Sequence, residues 1–162
     1  MRHVISLLVE NHQGVLSRIS GLFSGRGYNL DSITSGPTVD PSVARITLVC
    51  KGDDQVIDQI KKQLNRLVDT IKVIDLTESP TVDRELVLIK IGVPSARRSE
   101  IMEIAQVFKA KILDLGYDSL LLEITGSSEK IDDIVQILQD YPILEIARSG
   151  LVSMERAKKT RH

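Results

Sequence analysis

Positions 3–9, HVISLLV, form a nearly unbroken apolar run that stops at Glu10. A short run of this kind with polar flanks predicts a buried strand. Asn11, His12, Gln13 and Gly14 follow, and then the apolar period changes. Val15, Leu16, Ile19, Leu22 and Phe23 share one helical face. Gly25 and Gly27 end that helix, with Gly27 placed as a left-handed cap. Residues 28–35 carry Tyr28, Leu30 and Ile33 at the spacing of a second, weaker strand. Gly36-Pro37 and Asp40-Pro41 bracket a turn. Residues 43–50 alternate Ile46, Leu48 and Cys50 against Arg45, Thr47 and Val49, which predicts a third strand. Asp53 is positioned to cap a helix whose stripe is Val56, Ile57, Ile60, Leu64, Leu67 and Val68. Residues 71–76 read as a fourth strand.

The order β-α-β-β-α-β then repeats. TESPTVDRE, residues 77–85, has turn and charge character without apolar period. Residues 86–93 read as a strand, and Ile101, Ile104, Ala105 and Phe108 define a helix. Residues 111–115 and 120–125 form a hairpin across Gly116-Tyr117-Asp118. Ile131, Ile134, Val135 and Leu138 define a helix started near Ser127 or Ser128, and 143–147 is the last strand. The fold class expected is therefore α+β, with two ferredoxin-like βαββαβ units. The boundaries expected are 1–77 for the first domain, 78–84 for a linker, 85–152 for the second domain and 153–162 for a basic tail. Each half has two helices on one face of an antiparallel sheet, which leaves a sheet face or edge uncovered. The first half is small enough for its own core to be marginal. Size and topology thus suggest a homodimer or sheet docking.

Composition narrows the function classes. Apolar residues make up 42% and charged residues 27% of the 162, ordinary for a globular protein. A net charge of −1 supplies no global field for nucleic acid or an anionic membrane. The clear strands HVISLLV and ARITLVC carry no aromatics, so they offer no stacking platform for RNA bases. Cys50 is the one cysteine, which excludes an intramolecular disulfide and a cysteine-based zinc site. No run is long enough to span a bilayer, and the N-terminal apolar run is too short for a signal peptide. Cytoplasmic residence is expected.

Candidate chemistry is sparse. His12 is the one histidine in a plausible site loop, with no Asp or Cys close to it along the chain. Cys50 ends an apolar strand and reads as a small buried hydrophobe. The glycines at 25 and 27 follow a helix, so they do not form a strand-to-helix phosphate loop. No catalytic residue, metal site or cofactor is expected in this chain. The elbow at 10–14 is a different matter. Free N–H groups at a helix start attract an anion, Gly14 permits close approach, and Asn11 offers an acceptor to an ammonium group. The loop is chemically suited to a free amino acid. The same residues also fit an Asn-capped helix with a turn glycine. Arg97 and Arg98 in GVPSARRSEI, and the cations of MERAKKTRH, fit either solvated surface or contact with an acidic partner.

The run ISLLVENHQGVLSRISGLFSGRGYNLDSIT resembles the start of the small regulatory subunits of acetohydroxyacid synthase, also called acetolactate synthase. VARITLVCKGDDQVIDQIKKQLNRLVDTIKV, DRELVLIKI and EIARSGLVSMER extend the resemblance over essentially the whole chain. It implies an N-terminal ACT domain, an amino-acid sensor, and a chain that is not catalytic. The partner implied is the large catalytic subunit, which would carry thiamine diphosphate, Mg²⁺ and FAD. The role implied is activation of that subunit and feedback inhibition by valine or another branched-chain amino acid. The resemblance places the effector at the interface of an ACT homodimer. Asn11, Gly14, Val15 and Leu16 would come from one protomer, and Asn29 and Ile33 from the other, with Ser35 and Gly36 nearby. A stand-alone ACT-type sensor of another enzyme or a transcription factor is the alternative reading.

Overall fold

The computed structural model describes residues 1–157, so Lys158, Lys159 and Arg161 of the expected basic tail lie outside the described residues. The first unit comprises residues 1–82 together with the returning segment from Leu151, and the second runs from Asp83 to Gly150.

In the first unit the order is β1 (Arg2–Glu10), α1 (Val15–Arg26), β2 (Asn29–Pro37), β3 (Val43–Lys51), α2 (Asp54–Arg66) and β4 (Thr70–Asp75). The strands form an antiparallel sheet in the order β2-β3-β1-β4. β2 and β4 are therefore its edges. Ile5, Leu7 and Val9 of β1 and Ala44, Ile46, Leu48 and Cys50 of β3 face one side. Val15, Ile19 and Phe23 of α1 and Ile57, Ile60 and Leu64 of α2 close over them. The α1 residues recur every four positions and the α2 residues at three and four, so each helix buries one stripe.

Helix ends follow local chemistry. Asp53 caps α2 by accepting the Val56 N–H at 2.9 Å. α1 runs through Gly25 and stops at Gly27, which adopts φ 65°. Tyr28 N–H donates to Phe23 O at 3.0 Å and Gly27 N–H to Ser24 O at 3.3 Å, the paired bonds of a Schellman stop. Gly25 does not end the helix, because a glycine weakens a helix without breaking its hydrogen bonds.

The second unit repeats the plan with β5 (Thr81–Gly92), a 3₁₀ turn at Ser95–Arg97, α3 (Arg98–Phe108), β6 (Lys111–Leu115), β7 (Ser119–Gly126), α4 (Ser128–Leu138) and β8 (Ile143–Arg148). The sheet order is β6-β7-β5-β8, the same permutation as in the first unit. Its core joins Val87, Ile89 and Ile91 to Leu120, Leu122 and Ile124 under Ile101, Ala105, Ile131, Ile134 and Leu138. Ser127 caps α4 through the Lys130 N–H. Glu85 is buried in β5, held by Arg148 through Nε at 2.6 Å and Nη2 at 3.0 Å.

Three segments differ from the sequence expectation. β5 begins at Thr81, so the irregular connection after β4 is shorter than 78–84. The first residues of the expected tail, 153–155, join Val152 in a further strand, β9 (Val152–Glu155). β9 pairs with β5, whose first residues belong to the same unit, and Arg156 N–H donates to Pro80 O at 2.9 Å. Finally, the second face of the first sheet is partly covered: Leu151 packs with Val4, Val49 and Leu76 in a small separate cluster. The alternation of β3 therefore carries burial on both faces, with Thr47 and Val49 as closed off as Ile46.

Candidate functional site

The elbow between β1 and α1 is held open by its backbone. Asn11 N–H donates to Ser42 O at 2.8 Å, and its side-chain Nδ2 donates to Pro41 O at 2.9 Å. The carbonyl Oδ1 is then the group left to accept a proton. Gly14 is the residue at the helix cap, with φ 88° and ψ −11°, a left-handed conformation that favours glycine. It offers no capping side chain, so Asn11 does not cap the helix. Arg18 N–H is the first to reach a helical acceptor, Gly14 O at 3.0 Å. The N–H groups of Val15, Leu16 and Ser17 precede it and have no acceptor within the helix. No acidic residue occupies the first turn of α1 to answer their partial positive charge.

Beside these groups lies a cleft of about 210 Å³. Val9, Ala44 and Ile46 form its apolar floor, and Val15 and Leu16 its wall. Glu10, Asn11, His12, Gln13, Gly14 and Ser35 supply its polar rim. Helix-start N–H groups, an amide acceptor and a small apolar floor thus meet in one concavity. A larger cleft, of about 360 Å³, lies at the opposite end of the sheet around Met1, His3, Lys61 and Asp75. Its lysine already bridges Asp58 and Asp75, each at 3.0 Å.

His12 is not isolated in space. Its Nε2 lies 2.7 Å from Asp69 Oδ1 and 3.4 Å from Glu10 Oε2. Asp69 belongs to the connection before β4 and is buried, and its other oxygen accepts from Arg18 Nη1 of α1. The Gln13 carbonyl raises the His12 pKa first; partial desolvation opposes it, and the Asp69 and Glu10 carboxylates add to the rise. Glu10 stands two residues from His12 in the sequence, but Asp69 reaches it only through β1–β4 pairing, where Glu10 N–H donates to Asp69 O at 2.9 Å.

Of the residues singled out from the sequence, Asn11, Gly14, Val15, Leu16 and Ser35 line the same cleft. Val15 is also a core residue, while Leu16 is 47% exposed. Asn29 begins edge strand β2 opposite Lys51, Ile33 packs against the first core, and Gly36 pairs with Arg45. These three do not line the cleft within one chain. The floor residues Val9, Ala44 and Ile46 were legible only as core positions. Arg97 and Arg98 are engaged within the chain. Arg97 pairs with Glu100 at 2.9 Å and stacks over the Tyr141 ring at 4.7 Å. Arg98 donates to the carbonyls of Gly116 and Tyr117.

Comparison with known proteins covers both units. The family model described as the small-subunit-like ACT domain of AHAS matches residues 5–72. The model described as the small subunit of acetolactate synthase matches residues 84–157. The probable acetolactate synthase small subunit of Methanothermobacter thermautotrophicus is 46% identical over 159 residues, covering 98% of this chain and 95% of that one. The acetolactate synthase small subunit of Haemophilus influenzae is 41% identical over 160 residues, with 98% of each covered. The crystal structure of the small subunit from Thermotoga maritima superposes with a TM-score of 0.88 at 37% identity, covering 98% of this chain and 99% of that one. A stand-alone sensor would not need the second unit, yet that unit has its own family match. The chain therefore belongs to the acetolactate synthase small subunits, the non-catalytic regulatory chains of that enzyme.

Proposed function

We propose that the elbow cleft is where this regulatory subunit reads a free branched-chain amino acid, with valine the first candidate. Regulation of branched-chain amino acid synthesis through the large catalytic subunit follows from the family. The observation that carries the effector reading is the meeting of three groups in one cleft. The N–H groups of Val15 and Leu16 suit a carboxylate, worth roughly 0.3–1 kcal/mol and up to about 2 when partly buried. Asn11 Oδ1 suits the ammonium, and Val9, Ala44 and Ile46 suit a short aliphatic side chain. The site is completed by a second protomer in this reading. β2 is an open sheet edge, and a two-fold partner would bring its Asn29 and Ile33, with Gly36 beside them, toward the cleft. An effector bridging two chains alters their relative placement, and inhibition requires that it bind the inhibited arrangement more tightly than the active one. The complex works in the cytoplasm.

The test is calorimetric titration of valine, leucine, isoleucine, serine and lysine into the full chain, repeated on Gly14→Asp. A Cβ at Gly14 would meet only Arg18 Nη2, at 3.7 Å, but at φ 88° any side chain is strained, so the fold of the variant is checked by circular dichroism before titration. The added charge would sit against the incoming carboxylate. Valine binding and valine inhibition should disappear while activation of the large subunit persists. Unchanged inhibition in that variant would place the effector elsewhere.

A further inference from the structure

We propose that Glu10, His12 and Asp69 form a divalent transition-metal site, with Zn²⁺ the fitting ion, at the base of the first elbow. The three residues come from the end of β1, the elbow and the connection before β4, and their donor atoms lie within 4.8 Å of one another. Glu10 and His12 also stand on the rim of the elbow cleft, but metal binding is read without any amino acid present.

The imidazole carries the argument. His12 Nδ1 lies 3.1 Å from the Gln13 carbonyl oxygen. A carbonyl only accepts, so Nδ1 bears the proton of that bond. In the neutral ring Nε2 is then a lone pair. It faces two carboxylates, at 2.7 Å and 3.4 Å. Lone pair against carboxylate is repulsive, so a cation belongs between them: a second ring proton or a metal ion. Proteins fix metal-ligating histidines in this way, with Nδ1–H on a carbonyl and Nε2 on the ion.

The other donors are held as well. Arg18 takes Asp69 Oδ2, which turns Oδ1 toward His12, and Asp69 has only 5% of its side chain exposed. A tetrahedral ion with bonds of about 2.0–2.2 Å needs donors roughly 3.3 Å apart. The His12–Glu10 spacing of 3.4 Å already meets this. The His12–Asp69 pair would open by about half an ångström, within reach of a histidine side chain that is 44% exposed. One nitrogen and two carboxylate oxygens suit Zn²⁺, Co²⁺ or Ni²⁺, whereas Mg²⁺ prefers oxygen alone and Cu(I) prefers sulfur. Three protein ligands leave a fourth position for water.

The experiment is equilibrium dialysis of the full chain, without an affinity tag, against ZnCl₂, and absorption spectroscopy with CoCl₂. One Zn²⁺ per chain and the intense visible bands of four-coordinate Co²⁺ are expected. His12→Ala should weaken binding by more than roughly tenfold, a loss that even outer-shell changes reach. Glu10→Gln, on a side chain that is 60% exposed, should weaken it too and serves if His12→Ala fails to fold. His162→Ala is the control and should bind as the unaltered chain does. No saturable binding, or binding that survives both Glu10→Gln and a folded His12→Ala, would overturn the site and leave a proton as the shared cation.

Discussion

At the scale of single residues, burial and partners decide chemistry that residue type alone leaves open. Cys50 illustrates this. It sits fully inside the first core, and burial, followed by the charges of Asp31 and Asp75, raises its thiol to about 11. Thiolate is the reactive form, so the folded chain should give no thiol signal with a disulfide reagent at about pH 8. The full equivalent should appear in denaturant. Rapid labelling of the native chain would contradict the packing of β3 against α1 and α2. His12 shows the converse. Its type and exposure suggest an ordinary surface residue, but Asp69, Glu10 and Gln13 surround it with acceptors.

At the scale of elements, helix ends are where local rules and three-dimensional demands meet. α1 stops at a glycine in the left-handed region, as its sequence predicts. α3 stops the same way, but with Lys109 at φ 55°, the only non-glycine residue with positive φ among those described. Ala110 N–H donates to Ala105 O at 2.8 Å and Lys109 N–H to Gln106 O at 3.2 Å, so the motif is the same Schellman stop. A side chain in that conformation costs about 1–2 kcal/mol. Glycine there recovers most of this but adds freedom to the unfolded chain. Lys109→Gly should therefore stabilise the second unit by about 0.5–1 kcal/mol in a urea titration. A destabilised variant would mean that the lysine side chain makes a contact stronger than the strain.

At the scale of the whole molecule, two units of the same strand order differ at their first elbow. The first carries the elbow cleft, and its sheet presents β2 as an edge with one partner strand. An edge of this kind is available to a second copy. In sedimentation experiments the 18.0 kDa chain should run as a dimer. If the effector bridges two protomers, valine must strengthen dimerisation, because a ligand stabilises the state that binds it. Dilution should then dissociate the dimer at a lower concentration with valine than without it. A monomer, or a dimer indifferent to valine, would count against a shared site. The equivalent elbow in the second unit passes through the 3₁₀ turn at Ser95–Arg97 instead of a left-handed glycine. Its arginines are tied to Glu100, Tyr141, Gly116 and Tyr117.

Much of this organisation is legible along the chain because it rests on near-neighbour periodicity. The helical stripes of α1 and α2, the Gly27 stop, the Asp53 cap and the repeated βαββαβ order are local patterns. So is the elbow, whose polar residues and glycine stand together at 10–14. Family membership was legible too, since long motifs span both units. What tertiary structure alone decided lies between residues distant in sequence. It placed Val9, Ala44 and Ile46 beneath the elbow through β1–β3 pairing. It returned Leu151 to the first unit to cover Val4 and Val49, which alternation had left on an open face. It also carried Asp69 to His12 and Arg18 through the pairing of β1 with β4. Periodicity records which face a residue takes, whereas the partner across a sheet depends on which strands pair and in what register.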